Sequence, residues 1–305
     1  MKKAFALLTA FLMLAALCAP AGAARLPGEE LTAVRSVPAG VPASAQEWEV
    51  LRLANAERMN EGLEPLTMFS AMQTAADIRS LEIVESFSHT RPDGTDCFTV
   101  LDEVGVNWSS VGENIAAGQQ TPAAVMNSWM NSPGHRANIL TAGFRHIGVG
   151  YTYSQGSSYG AYWVQLFCTG WGCNYTSFEI LGELDMTTSV DALGLAGRFN
   201  CGEGYCWMPL TSAMCTGDTT ANGVRTVTFS CFGLTASISC GSALQAGDVN
   251  GDGEIDITDA LLTMRHAMGI ITLTAEQLER ADVNGDSGVD ISDALLIMRI
   301  AMGMD

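Results

Sequence analysis

Basic residues are scarce in this 305-residue chain, which has 15 lysines and arginines against 33 aspartates and glutamates. A chain with a formal charge of −18 would be repelled by a phosphate backbone, so nucleic-acid binding is disfavoured. Histidine is also rare, and the four that are present limit the candidate imidazole ligands and bases. No long apolar run follows the first 17 residues, so no transmembrane helix is predicted.

The N-terminus has the features of a cleaved export signal. Two lysines precede an apolar run from Ala4 to Leu17, and small residues follow at Ala21-Gly22-Ala23. This run is too short to cross a bilayer, which argues against a membrane anchor. We therefore expect residues 1–24 to be a signal peptide, residues 25–45 to be a linker, and the mature protein to be secreted.

Removal of the signal would leave eight of the nine cysteines, an even number that favours disulfide bonds in an exported protein. Seven of the eight lie between residues 168 and 240, where short alternating runs predict β hairpins. Residues 176–245 are accordingly predicted to form a small, disulfide-rich β module. Cys201 and Cys206 have the spacing of a metal knuckle, but a bridge is favoured because no histidine lies near them. Cys97 is also expected to be oxidised.

Helical patterns dominate the region before residue 140, and alternation of apolar and polar residues follows it. Ser44 and Glu47 have capping-box spacing, and Thr121 precedes a proline, so helices are predicted to begin at both places. Alternation over Ile147–Tyr153 and Tyr162–Phe167 predicts two strands. Helices followed by strands predict an α+β layered fold.

The clearest internal repeat lies at the C-terminus. A twelve-residue segment that begins at Asp248 returns at Asp282, 34 residues later, and the apolar run after each copy is repeated as well. From residue 246 onward, twelve acidic residues stand against three arginines, a net charge of −9. The regular spacing of these acidic residues argues against a merely solvated tail.

Each copy places oxygen-bearing side chains at loop positions 1, 3, 5, 9 and 12, with position 7 able to supply a carbonyl, an arrangement that wraps calcium. Magnesium fits less well because it requires tighter octahedral geometry. We therefore predict two calcium ions, one in each loop. The predicted ligand positions are Asp248, Asn250, Asp252, Glu254, Asp256, Asp259, Asp282, Asn284, Asp286, Gly288, Asp290 and Asp293. Ser287 occupies position 6 of the second loop, where glycine is usual, so that site is expected to be strained or weaker.

A calcium loop followed by one clear helix, aspartate at position 12 and duplication within residues 246–305 together resemble the type I dockerins. The resemblance implies an α-helical module with two EF-hand-like loops that binds a cohesin module on a scaffoldin or a cell-surface protein. It also implies partner contacts at loop positions 10 and 11, which are Ile257, Thr258, Ile291 and Ser292. Because the two copies match at these positions, either helix could face the cohesin.

Three of the four histidines lie between residues 89 and 146, within distinctive motifs. The motifs are Ser88-His89-Thr90, Gly112-Glu113-Asn114-Ile115, Ser132-Pro133-Gly134-His135-Arg136 and His146-Ile147-Gly148-Val149-Gly150. In this order, the motifs resemble those of the CAP superfamily of cysteine-rich secretory, antigen 5 and pathogenesis-related proteins, and specifically its bacterial SCP-like branch. The domain that carries them is predicted over residues 46–175. The resemblance implies an α-β-α sandwich with a central antiparallel sheet and a cleft of histidines and acidic residues.

His89, Glu113 and His135 match the cleft positions of that family and are the candidate catalytic residues if the cleft is active. The two histidines could hold zinc with water completing an open site, and Glu113 could then help to activate that water. The second cleft glutamate of eukaryotic members falls at Ser132, so the full acid–base set is incomplete. An architectural site, in which these side chains only tie loops together, stays open.

The sequence suggests three alternative functions. The first is a binding protein whose cleft captures a lipid, peptide or other small ligand, while the dockerin attaches it to a cell-surface or cellulosome-like assembly outside the cell. The second is a metal-assisted, peptidase-like hydrolase. The third, a glycosidase, is disfavoured because the cleft offers one glutamate and such enzymes need a pair of carboxylates. An accessory role in polysaccharide breakdown by the assembly is compatible with the first. We favour the first and leave enzymatic activity open.

Overall fold

The computed structural model describes residues 37–170, 174–201, 204–221, 223–241 and 245–304. The predicted signal peptide, the first part of the predicted linker and Cys173 lie outside these residues. Two compact units are present. The first contains the described residues up to Glu183 together with Ser189–Cys215 and Phe229–Ala236. The second contains Leu184–Thr188, Thr216–Thr228 and the described residues from Ser237 onward.

The helices and strands have the following bounds. The helices are α1 Ala45–Asn60, α2 Ser70–Glu85, α3 Thr99–Glu103, α4 Pro122–Met130, α5 Pro133–Ile139, α6 Val190–Leu193, α7 Ile257–Ala267, α8 Ala275–Ala281 and α9 Ile291–Ala301. The strands are β1 Ser110–Ala117, β2 His146–Tyr153, β3 Ala161–Thr169, β4 Ser177–Leu181, β5 Ala196–Asn200, β6 Tyr205–Pro209, β7 Cys215–Ala221, β8 Val224–Cys231 and β9 Leu234–Gly241.

The two predicted helix starts are confirmed. The backbone N–H of Ser44 donates to Glu47 Oε2 at 2.7 Å, and the Ser44 hydroxyl accepts from the Glu47 N–H, which completes the capping box of α1. Thr121 accepts from the backbone N–H of Ala124 at 3.2 Å and caps α4. Both caps satisfy N–H groups that a helix end leaves without intrahelical partners.

The first unit contains an antiparallel sheet with the strand order β1-β3-β2. Strands β2 and β3 confirm the two strands predicted from alternation. Strand β2 begins one residue earlier than predicted, and β3 begins one residue earlier and ends two residues later. Strand β1 was not predicted, and the motif around Glu113 lies within it. The prediction failed because residues 112–116 of β1 form one continuous buried stretch whose sequence shows no alternation of apolar and polar residues.

Helices cover both faces of this sheet, which produces a helix–sheet–helix sandwich. On β2, Ile147 and Val149 point to one face and join a core that includes Trp48 and Leu51 of α1 and Trp129 of α4. Gly148 and Gly150 alternate with these residues, and their Cβ positions would face the opposite side of the sheet, where α2 packs. The apolar side chains on the first face and the small residues on the second determine which helices can approach the sheet.

Helix α2 approaches the sheet so closely that side chains on β2 would block it. A Cβ added to Gly148 would lie 2.7 Å from the carbonyl carbon of Met72 and closer still to its oxygen. A Cβ added to Gly150 would lie 2.7 Å from the carbonyl carbon of Ala76. Glycine at these two positions therefore permits backbone contact between α2 and β2.

The β4-β5-β6 sheet belongs to the same compact unit as the sandwich. The N–H of Met68 donates to the carbonyl of Trp207 at 2.8 Å, and the N–H of Trp207 donates back to Met68 at 2.7 Å. Ala196 and Trp207 also pack into the sandwich core. The boundary predicted at residue 175 therefore does not separate two compact units, because β6 pairs with the segment that precedes α2.

The strands predicted for residues 176–245 are present as β4 to β9, with β7, β8 and β9 forming a third sheet. The predicted bridges are not formed between any two cysteines in the described ranges. The sulfur atoms of Cys201 and Cys206 are 3.8 Å apart. Disulfide bonding in this module stays a prediction.

The C-terminal repeat folds around its own small core. Val249, Ala260, Leu273, Ala281 and Ile297 are its buried apolar residues, and α7 packs against α9. Both helices begin with an aspartate N-cap at loop position 9, completed by the aspartate at position 12. The short helix α8 between the repeats was not predicted, since it spans seven residues and carries a weak apolar pattern.

The expected irregularity of the second loop is visible in the backbone. Ser287 has φ +69°, and Gly253 at the matching position of the first loop has φ +91°. A side chain in this left-handed region costs roughly 1–2 kcal/mol relative to the usual conformation. The second loop therefore carries strain that the first loop avoids.

We expect Ser287→Gly to stabilise the C-terminal module by up to about 1 kcal/mol, because the relief of backbone strain exceeds the entropy that glycine adds to the unfolded chain. Calcium titration followed by urea unfolding measures the change in the free energy of unfolding. Gly253→Ser is the matched reverse variant and should destabilise the first loop by a similar amount. An unchanged or lower stability for Ser287→Gly would contradict the strain.

Candidate functional site

The segment that joins α2 to α3 folds back on itself and brings two side chains together. The N–H of Cys97 donates to the carbonyl of His89 at 3.2 Å, and Thr90 pairs with Asp96 in an antiparallel bridge. His89 and Cys97 therefore lie opposite each other at the base of this turn. The turn stands beside β1, which carries Glu113.

Glu113 is the centre of the cleft predicted from the sequence. Its side chain is 1% exposed, and Oε2 lies 2.6 Å from His89 Nδ1. Its other oxygen, Oε1, accepts from Arg79 Nε at 2.8 Å. A buried carboxylate needs such partners, because an unpaired charge away from water is costly. The contact brings two of the predicted cleft residues together.

Arg79 was missed by the sequence reasoning, although it fixes the geometry of this cleft. Its side chain is fully buried on α2, and besides Glu113 it donates to Glu82 at 2.6 Å and to the carbonyl of Ser88 at 2.9 Å. The last bond holds the residue that precedes His89. A signal was present in the sequence, since Arg79 falls on the same helix face as the buried Ala75, Ala76 and Ile83.

Cys97 also lies at this site, and its predicted oxidation stays a prediction. It forms no disulfide with any described cysteine, and it is 3% exposed. One ligand atom from each of His89, Cys97 and Glu113 lies within 4.8 Å of the other two. Burial, and then the charge of Glu113, raise the pKa of the Cys97 thiol well above its usual range. A thiol in this environment is a poor nucleophile, because the thiolate is the reactive form.

His135, the third predicted cleft residue, lies on α5. Burial, and then the charge of His89, lower the pKa of His135. The Asn114 side-chain amide donates to the His135 carbonyl at 3.1 Å, and the Asn138 amide donates to the Glu113 carbonyl at 3.1 Å, so α5 is tied to β1. Within the described chain, the group of three close metal-ligating side chains contains His89 and Glu113 but not His135.

The predicted calcium loops have matching hydrogen bonds. Asp248 accepts from the backbone N–H groups of Gly251 and Gly253 at 2.8 and 3.0 Å. At the equivalent place, Asp282 accepts from the N–H groups of Gly285 and Ser287 at 2.9 and 3.0 Å. Each loop is thus wrapped around the carboxylate at its first position.

The aspartates at position 12 close the two loops. Asp259 is fully buried and accepts from the N–H groups of Asn250 and Asp256, each at 2.9 Å. Asp293 is also fully buried and accepts from the N–H groups of the equivalent residues in the second loop at 3.3 and 3.0 Å. Carboxylates that point inward from both ends of a twelve-residue loop supply the hard oxygen donors that calcium prefers.

Two family models match this chain. Residues 51–167 match the Cysteine-rich secretory protein (CAP) family, and residues 246–300 match the Dockerin type I domain. The chain contains a CAP domain and a type I dockerin. The segments matched are those in which the cleft and the duplicated loops lie.

Relatives share parts of the chain. The uncharacterized protein YkwD of Bacillus subtilis is 40% identical over 141 residues, which are 46% of this chain and 52% of YkwD. The chain therefore spans about half the length of that relative. An extracellular protein containing an SCP domain from Bacillus anthracis is 27% identical, with a TM-score of 0.37, over 41% of this chain and 40% of its own. A cohesin ScaC–ScaB dockerin complex from Acetivibrio cellulolyticus is 30% identical, with a TM-score of 0.20, over 20% of this chain and 86% of its own.

The residues predicted to contact a partner lie on the surface of the dockerin. Ile257 and Ile291 are 56% and 51% exposed, and Thr258 and Ser292 beside them are exposed as well. Neither isoleucine belongs to the buried core of the module. In the described ranges, no helix has the length and apolar character needed to cross a bilayer.

Proposed function

We propose that this protein works outside the cell, and that its dockerin attaches its CAP domain to a cohesin module of a scaffold or cell-surface protein in the presence of calcium. The observation that carries the proposal is the duplicated dockerin loop. Both copies have buried position-12 aspartates, matching internal hydrogen bonds and an exposed isoleucine at position 10.

Calcium is proposed for both loops because their donor sets are rich in oxygen. Side-chain oxygens stand at positions 1, 3, 5, 9 and 12, and a backbone carbonyl is available at position 7. Sulfur and imidazole groups, which favour softer metals, are absent from the described loop positions 1 to 12. The ligands predicted from the sequence are retained in this proposal without change.

The cohesin contact is proposed at the N-terminal turn of α7 and of α9. Leu261 follows Ile257 by four residues, so the two side chains share one helix face, and Leu295 has the same relation to Ile291. All four are more than half exposed. Apolar anchors surrounded by polar residues such as Thr258 and Ser292 are typical of the centre of a binding interface.

Calorimetric titration of the full chain against purified type I cohesin modules in calcium tests this proposal. Ile257→Asp or Ile291→Asp alone should have a small effect on the affinity for cohesin, because the contact turn of the other copy can still bind. The double variant should bind at least roughly 30-fold more weakly, the loss expected from removal of an interface anchor. Ile270→Asp, at an exposed isoleucine outside the two contact turns, is the control. Absence of binding to every cohesin, or an equal loss in the control, would overturn the proposal.

For the CAP domain we propose ligand binding in the cleft that holds His89, Glu113 and His135. The His89 side chain is 59% exposed and its Nδ1 is held by the buried Glu113 carboxylate, so a small ligand or a peptide group would meet an accessible and oriented polar contact at the ring. Metal-assisted hydrolysis is the second candidate, favoured by the 2.6 Å contact between His89 and Glu113. A role in polysaccharide breakdown would follow from the assembly that the dockerin joins.

A further inference from the structure

A thiol, an imidazole and a carboxylate converge on one point of the CAP cleft. Cys97, His89 and Glu113 come from two separate segments, and one ligand atom of each lies within 4.8 Å of the other two. Ligand atoms around a tetrahedral zinc ion are separated by roughly 3.3–3.7 Å, as follows from the usual metal–ligand distances. The group is therefore close to a binding geometry, and the His89–Glu113 contact has to open by roughly 1 Å to admit an ion.

We propose that the CAP cleft binds a zinc-class divalent cation through His89, Cys97 and Glu113. This inference rests on the proposed role of the cleft, and it replaces His135 by Cys97 as the second ligand beside His89. A thiolate and an imidazole select zinc, cobalt or cadmium over calcium and magnesium, which prefer oxygen. The cation in the cleft would thus differ from the calcium of the dockerin. On binding, the thiol proton is released to solvent, since a coordinating thiol is deprotonated.

The surroundings of the three residues support a site with one open position. Arg79 holds Oε1 of Glu113 at 2.8 Å, so the carboxylate presents its other oxygen to the cluster. Cys97 lies on the buried side of the three-residue group, since it is 3% exposed. The His89 side chain is 59% exposed and lies on the side that faces solvent. Three protein ligands with a solvent-facing fourth position are characteristic of zinc sites that bind water or a ligand. Support of a ligand by a buried neighbour, here Arg79, is usual in such sites.

Cobalt titration of the full reduced chain in excess calcium tests the inference. Cobalt bound by Cys97 gives a thiolate-to-cobalt charge-transfer band, which neither a two-histidine site nor the dockerin loops can produce. We expect one equivalent of cobalt with this band, and displacement of the cobalt by zinc. Cys97→Ser should remove the band and weaken binding at least about 100-fold, the upper end of the loss seen when only a supporting residue is changed.

Three variants separate the alternatives. His89→Gln keeps the thiol and should also weaken cobalt binding, whereas His135→Ala should leave the band and the stoichiometry unchanged. Cys201→Ser is the control for metal held by the other cysteines, and should leave the band intact. Cobalt binding without the band, or binding that His135→Ala removes and Cys97→Ser does not, would overturn the inference in favour of a two-histidine site. No cobalt binding at all would also overturn it, while cohesin binding would still report separately on the function of the dockerin.

Discussion

Removal of calcium is expected to unfold the dockerin and to abolish its binding to cohesin. Each loop carries four aspartates within twelve residues, and the first loop adds Glu254. Without a cation these carboxylates repel one another. The apolar core is too small to compensate, since five fully or nearly buried apolar residues form its centre. Metal binding then contributes directly to the free energy of folding.

The expected loss is large because two sites act together. At a free calcium concentration 100 times the Kd, each site contributes about 2.7 kcal/mol to stability. Thermal unfolding of the full chain, followed by circular dichroism, should show that a chelator removes the helical signal of α7 and α9. The double variant Asp248→Ala with Asp282→Ala should behave in calcium as the wild type does in chelator. Glu279→Ala, an acidic residue outside the loops, is the control. Cohesin binding that survives excess chelator would contradict this prediction.

Gly148→Ala is expected to destabilise the CAP domain by about 3 kcal/mol, which is at the high end for overpacking. The added methyl group would lie 2.7 Å from the carbonyl carbon of Met72, and the two nearest atoms belong to the backbone, which cannot move aside as a flexible side chain can. Relief therefore requires a shift of α2 away from β2 as a unit. A urea unfolding curve of the full chain should show the CAP transition at lower denaturant, with the dockerin transition unchanged.

Gly143→Ala is the matched control for this substitution. The nearest atom to a Cβ at that position is 3.9 Å away, and the backbone there is compatible with alanine. Its unfolding midpoint should stay close to that of the wild type. A Gly148→Ala protein as stable as the Gly143→Ala protein would show that α2 does not contact the sheet as closely as the structure places it.

Features set by local sequence were predicted well. The capping box at Ser44 and Glu47 and the Thr121 cap depend on residues only three positions apart, and both helices begin where these signals place them. The repeat beginning at Asp248 and Asp282 likewise encodes its loops locally, and the family models match both the CAP and the dockerin segments. Local signals of this kind do not depend on the rest of the fold.

Features set by long-range packing were not predicted. The sequence of strand β1 around Glu113 does not alternate between apolar and polar residues, so the pattern that reveals a half-exposed strand is missing. Arg79 lies among buried apolar positions of α2, where an arginine is unexpected. Its ion-pair partner, Glu113, lies 34 residues later in the sequence, so the pair could not be recognised from local sequence. The place of Cys97 beside His89 was not predicted either, because it depends on a turn that the sequence alone does not define.

The close approach of α2 to β2 has a consequence for how the CAP domain can vary in evolution. The same helix that Gly148 and Gly150 admit to the sheet carries Arg79 to the Glu113 carboxylate. A larger residue at 148 would therefore withdraw a charge from the cleft as well as loosen the core. Substitutions at 148 and 113 should consequently be non-additive, although neither side chain needs to touch the other. We therefore expect epistasis between the residues that pack α2 against β2 and the residues that position the Glu113 carboxylate.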